Sequence, residues 1–120
     1  MVTAYVPEAG DIITLNFDPQ LGRGQAKRRP ALVITDRSYN QAAGLAVVCP
    51  LIVCPLNSQR ATYPFALPTT MERVEGAVLV DQLKSLDWNG RNAEFHSKAE
   101  AGLLAKVRIH VAVLLGIRQA

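Results

Sequence analysis

Apolar positions along the chain fall into short runs punctuated by glycine, proline and polar clusters, a pattern that predicts strands and turns for most of the length and one helix at the end. The first run, Ile12 to Phe17, alternates imperfectly, with Thr14 and Asn16 as its polar members. In the second, Pro30 to Thr35, Ala31-Leu32-Val33-Ile34 is uninterrupted and aliphatic, as expected of a strand covered on both faces. Between them lies a polar segment with Gly22, Gly24, Arg23, Lys27, Arg28 and Arg29, so the stretch reads as strand, basic loop, strand. Asp18-Pro19 opens that loop with turn chemistry, and Pro30 is expected to start the second strand, where its missing N–H removes no interior ladder bond.

Ahead of this unit, Pro7 and Gly10-Asp11 mark a turn. After it, Asp36 to Gly44 is polar and turn-rich, and Gly44 is the expected hinge into a third strand, Leu45 to Val48. With no helix expected between these three strands, antiparallel pairing in a barrel or meander is the economical arrangement. Val48-Cys49-Pro50-Leu51-Ile52 is then followed by Val53-Cys54-Pro55-Leu56-Asn57, a short tandem duplication. Two prolines in one apolar run cannot both occupy the interior of a central strand, so part of this segment should bulge or loop out at an edge.

Further on, Tyr63 to Leu67 reads as an edge-like strand, Pro68 to Glu75 as a connection and Ala77 to Val80 as a strand. Asp81 and Gln82 are expected to cap or brace the sheet. Leu83 to Trp88 is too short to type, and Asn89-Gly90 signals a tight turn before a last strand, Arg91 to His96. Ser97-Lys98-Ala99-Glu100 has capping-box spacing. From there Leu103, Leu104, Val107, Val111, Leu114 and Leu115 form an apolar stripe that should pack on the sheet and end at Gly116, with His110 beside it as a hydrogen-bonded structural histidine.

A length of 120 residues with 49% hydrophobic and 19% charged residues fits one soluble domain spanning residues 1–120 and argues against disorder. No apolar run is long enough for a bilayer, and MVTAYVPEAG has neither the basic region nor the apolar core of a signal peptide, so a cytoplasmic protein without membrane attachment is expected. Charge is uneven. Residues 19–71 hold six of the thirteen basic residues and one of the ten acids, while the remainder is net negative. One side of the molecule is therefore expected to meet an anion such as nucleic acid. Cys49 and Cys54 are the sole cysteines, which leaves no metal quartet or disulfide framework, and both are expected to be buried and unreactive.

The loop GQAKRRPALVI, Asn57-Ser58-Gln59, Tyr63-Pro64-Phe65 and Val80-Asp81-Gln82-Leu83-Lys84-Ser85, together with Tyr5-Val6-Pro7 and Gly10-Asp11, make the chain similar to the MazF/PemK family of toxin endoribonucleases over nearly its whole length. The resemblance implies an α+β fold: a small antiparallel SH3-like β-barrel with a C-terminal α-helix. It implies a homodimer that cleaves single-stranded RNA at short sequences without metal or other cofactor. It also implies a cognate antitoxin that lays an extended acidic segment in the RNA groove.

Carried over by position, the family's essential arginine falls on Arg29. The spacing to Tyr63-Pro64-Phe65 makes Pro55 the match for the proline ending the third strand, so the family's hydroxyl residue falls on Asn57 or Ser58, whereas Pro50 would put Ile52 there. Ser58 is taken as the hydroxyl donor with Asn57 beside it. Lys27, Arg28 and Arg60 would hold flanking phosphates, while Gln25, Asn57 and Gln59 would read unpaired base edges. Asn16 joins the RNA-binding set, and it and Gly24 stand where some members carry acids, so this chain lacks those carboxylates. The implied reaction is attack of a 2′-OH on the adjacent phosphorus. Two competing classes are a non-catalytic barrel that binds RNA or an acidic peptide, and a gyrase-directed toxin of the same fold; the Arg-Pro signature argues against the latter.

Overall fold

The computed structural model describes residues 5–17, 28–53, 65–71 and 74–117. Strand β1 (Asp11–Asn16) pairs antiparallel with β2 (Arg28–Val33), and β2 pairs with β3 (Ala46–Val53). β4 (Ala66–Met71) and β5 (Val74–Leu79) form a hairpin joined to β3 through β5. β6 (Lys84–Leu86) pairs with the first half of β3, and β7 (Glu94–Lys98) lies along the free side of β1. Helix α1 (Arg37–Ala43) links β2 to β3, a 3₁₀ turn (Val80–Gln82) follows β5, and α2 (Leu103–Leu114) comes last.

The expected antiparallel α+β architecture is present, but the pairings do not close it into a barrel. The path runs β4-β5-β3-β2-β1-β7, and its two end strands do not meet. At the β4 end a side chain takes the place of a strand: Glu100 Oε1 accepts from Thr69 Oγ1 at 2.6 Å and from the Thr70 N–H at 3.1 Å.

Both faces of the central strands are covered, as the continuous run in β2 requires. Ile12, Leu32, Cys49, Leu51 and Val78 pack on one face beneath Leu103 and Val107 of α2. Ile13, Leu15, Ala31, Val33, Val48 and Leu86 pack on the other, flanked by Tyr5, Phe17 and Trp88. Each fully buried aliphatic side chain of this kind contributes about 1.5–3 kcal/mol relative to exposure. Cys49 belongs to this core; burial, with a smaller push from the Asp81 carboxylate, raises its thiol to about 12, which makes it inert. Cys54 lies outside the described residues.

Pro50 is buried inside β3, paired with Ala31. The strand tolerates it because β6 ends opposite Val48 and β5 begins opposite Leu51, so at Cys49 and Pro50 the ladder runs on one side alone. Pro68 likewise sits within β4, opposite Ala77, on an edge strand. The expected connection from Pro68 to Glu75 is thus a hairpin, with Gly76 buried between Val53 and Thr69.

The absence of a helix between the first three strands was the wrong expectation. α1 escapes hydrophobic periodicity because its one buried residue is Asn40, an amide. Asn40 Nδ2 donates to the Pro7 and Thr35 carbonyls, each at 2.9 Å, and Oδ1 accepts from Thr35 Oγ1 at 2.6 Å. Its main-chain oxygen accepts from Trp88 Nε1 at 3.0 Å. Gly44, left-handed at φ 73°, ends the helix, which is why that glycine reads as a hinge.

The capping box is also absent. Ser97 and Lys98 remain in β7, Glu100 is drawn to β4, and Gly102 at φ 85° leads into α2. At β7 the Lys98 ammonium lies 2.7 Å from the buried Asp11 carboxylate, whose other oxygen accepts from Tyr5 Oη. The hydrogen bond that Lys98 donates to Asp11 raises the Lys98 pKa, while burial and then the Asp11 carboxylate raise that of Tyr5.

Candidate active site

Adjacent residues of a strand point to opposite faces, and β2 begins two residues earlier than proline chemistry suggests, so Arg28 and Arg29 are strand residues with opposite fates. Pro30 pairs with Thr14 rather than starting the strand, because β1 still offers Leu15 and Asn16 as partners for Arg29 and Arg28.

Arg28 is tied into the protein. Its Nη2 donates to the Asn92 carbonyl at 2.6 Å and the Thr14 carbonyl at 2.9 Å, Nη1 lies 3.3 Å from Asn16 Oδ1, and Glu94 forms an ion pair at 3.3 Å. Arg28 and Asn16 are thereby brought together on one face, each engaged with the other. Arg29 faces the other way. It is exposed and has no hydrogen-bond or ion-pair partner among the described residues.

Arg29 opens onto a trough of about 440 Å³. Pro50, Leu51, Ile52 and Leu79 form its apolar part, and Gln82, Lys84 and Phe17 complete the rim. Lys84 Nζ stands 5.6 Å from the centre of the Phe17 ring, within cation–π range. Two cations, an amide and an aromatic edge around an open hollow suit an anion carrying flat, unpaired rings. A guanidinium offers a planar fork to phosphate oxygens, an ammonium a point charge.

Of the residues assigned from sequence, Arg29 lines this trough, whereas Arg28 and Asn16 are on the opposite face. Gln25, Lys27, Asn57, Ser58, Gln59 and Arg60 lie outside the described residues. Phe17, Gln82 and Lys84 were not assigned to the site. For Gln82 and Lys84 the available signal was their nearness to the strand read at Ala77 to Val80: Gln82 closes the 3₁₀ turn that follows it, and Lys84 opens β6 opposite Val48 of β3. The bracing role expected of Gln82 is not what the structure gives, since that residue is exposed at the trough. His110 is exposed on α2, with Nδ1 donating to the Lys106 carbonyl at 2.9 Å.

The antiparallel sheet, the C-terminal helix and the cation-lined trough define a small α+β protein with an open polar hollow on one face. Residues 8–115 match the model of PemK-like, MazF-like toxins of type II toxin–antitoxin systems, and the chain belongs to that family. It is 34% identical over 116 residues to the endoribonuclease toxin MazF of Escherichia coli K12, covering 97% of this chain and all of that protein. To the endoribonuclease toxin ChpB of the same organism it is 34% identical over 88 residues, 72% of this chain and 75% of that one. Among solved structures, MazF of Deinococcus radiodurans superposes with a TM-score of 0.77 at 42% identity, covering 94% of this chain and 99% of that one. A MazE–MazF complex from the same organism gives 0.78 at 41% identity, covering 95% and 100%.

Proposed function

We propose that this toxin is a metal-independent endoribonuclease that cleaves single-stranded RNA lying in the trough beside Arg29. The substrate supplies its own nucleophile. The 2′-oxygen bonds to the adjacent phosphorus and loses its proton to an acceptor, the P–O5′ bond breaks, and the departing oxygen takes up a proton. The products carry a 2′,3′-cyclic phosphate and a 5′-hydroxyl. Arg29 binds the nonbridging oxygens as negative charge accumulates on them, a task for preorganised donors that needs no metal. As a proton acceptor it is unsuited, since guanidinium stays protonated in proteins. Ser58, with Asn57, donates to the same phosphate or orients the 2′-OH, and Lys84 holds a flanking phosphate.

The observation that carries this reading is an arginine without a hydrogen-bond or ion-pair partner among the described residues, facing a trough with a second cation, while its neighbour Arg28 is engaged. Phosphate is the ligand that such a free fork matches. The curled sheet, in which β3 passes from β6 to β5, takes the part of the family's SH3-like barrel. An extended acidic segment of a cognate antitoxin would compete for the same cations, and the MazE-bound relative supports that partner. The toxin acts as a homodimer in the cytoplasm; the apolar face of α2, with Ile109 and Val113 more than half exposed, supports the dimer.

The test is Arg29→Ala incubated with a long unstructured RNA. Cleavage is expected to fall by roughly 10²–10³-fold, the usual effect of losing one charge-stabilising donor. Cleavage at the unmodified rate, with 2′,3′-cyclic ends, would overturn the assignment.

A further inference from the structure

The hairpin ladder ends one residue too early to hold the trough wall. The last β1–β2 pair is Asn16 with Arg28, and Phe17, whose ring lines the trough, comes after it. Among the described residues, the turn at 88–92 holds the chain there. Arg91 Nη1 donates to the Asn16 carbonyl at 3.0 Å and the Phe17 carbonyl at 2.6 Å, and the Arg91 carbonyl accepts from the Asn16 N–H at 3.0 Å. The guanidinium is itself oriented by Asp87, whose Oδ1 lies 2.8 Å from Nε. Gly90 makes room for that carboxylate, because a Cβ at position 90 would overlap Asp87 Oδ2. On the other strand, Arg28 grips the Asn92 carbonyl, so one turn is bonded to both strands of the hairpin.

We propose that Arg91 is a positioning residue: through the Asn16 and Phe17 carbonyls it sets the Phe17 wall of the trough, and Asp87 with Gly90 sets Arg91. This rests on the nuclease reading above. Arg91 is mostly buried, with 21% of its side chain exposed, so it does not itself meet RNA. Its effect is on binding. Without it the Phe17 carbonyl loses a charge-assisted bond at the point where strand pairing has stopped, and the ring is no longer fixed beside Lys84.

The experiment is a double-mutant cycle in steady-state cleavage of an oligoribonucleotide, with Arg91→Ala, Phe17→Ala, the pair together and Arg91→Lys. Arg91→Ala is expected to raise KM about tenfold while kcat stays within about threefold, since a displaced wall weakens ground-state and transition-state binding alike. Arg91→Lys, lacking the fork, should fall between. In the Phe17→Ala background the loss of Arg91 should raise KM no further, because the two act as one unit. A mere loss of folded enzyme would lower kcat at constant KM. That outcome, or additive effects on KM, would overturn the proposal. If Arg91→Ala does not fold, Asp87→Asn enters the same cycle in its place. Arg29→Ala separates the two levels: activity retained there removes the nuclease site, whereas an inert Arg29→Ala beside uncoupled Arg91 and Phe17 removes the positioning role alone.

Discussion

Two hollows on this molecule have opposite linings. The trough at β2 holds Arg29, Lys84 and Gln82 at its rim. The groove along α2, about 200 Å³, is walled by Phe65, Val80, Ile109, Val113 and Leu114. Among the described residues the first offers a guanidinium with no hydrogen-bond or ion-pair partner, the second an exposed apolar surface. Charge without a partner selects a polyanion and an encounter that weakens with salt. Uncovered apolar surface on a helix selects a dry, shape-matched partner. If the trough takes the proposed RNA and the groove the proposed second subunit, mutations should affect one property at a time.

The sharpest contrast is expected between Arg29→Ala and charge placed in the groove. Arg29→Ala should abolish most cleavage and leave the sedimentation coefficient unchanged. Ile109→Asp with Val113→Asp should convert the proposed dimer to monomer in sedimentation, because burying two unpaired carboxylates opposes association. An unchanged dimer would assign the interface elsewhere. A smaller effect is expected for Lys84→Ala: weaker RNA binding across sequences, and a slope of log affinity against log salt reduced by about 1, as for one lost phosphate contact. An unaltered slope would mean that Lys84 serves the Phe17 ring rather than phosphate.

The smallest effect lies away from both hollows. The hydrogen bond from Thr69, followed by that from the Thr70 N–H, holds the Glu100 carboxyl below the ordinary glutamate value. A lowered folded-state pKa contributes stability above the ordinary value and loses it as pH falls through the folded one. The melting temperature should therefore decline on acidification below the usual glutamate range. Glu100→Gln should flatten part of that decline, and an identical profile would show that the β4 edge draws nothing from this carboxylate.

Strand content was legible where burial is periodic or continuous. Ile12 to Leu15 and Ala31 to Val33 read as strands because their side chains alternate between the two core faces, and Ala77 to Leu79 because all three are buried. The stripe on α2 was legible too, though only Leu103 and Val107 are fully buried, and Leu114 and Leu115 are exposed. What sequence did not disclose depended on partners remote in the chain. Asn40 carries α1 through bonds to Pro7 and Trp88, Glu100 left its capping position for Thr69, and Pro50 fits because two strands happen to abut opposite it. At the trough, the chemistry of Arg29 was visible and its geometry was not. Nothing local in Arg28-Arg29 says which of the two is bonded inward, since that is set by strand parity and by acceptors more than sixty residues away.

The twin arginines carry a warning for genetics. Cells that outlive production of this toxin should carry lesions at Arg28 as readily as at Arg29, and at Gly90 and Arg91 besides. A map of such survivors would trace the masonry together with the channel, and only purified variants measured one parameter at a time would tell the stones from the stream.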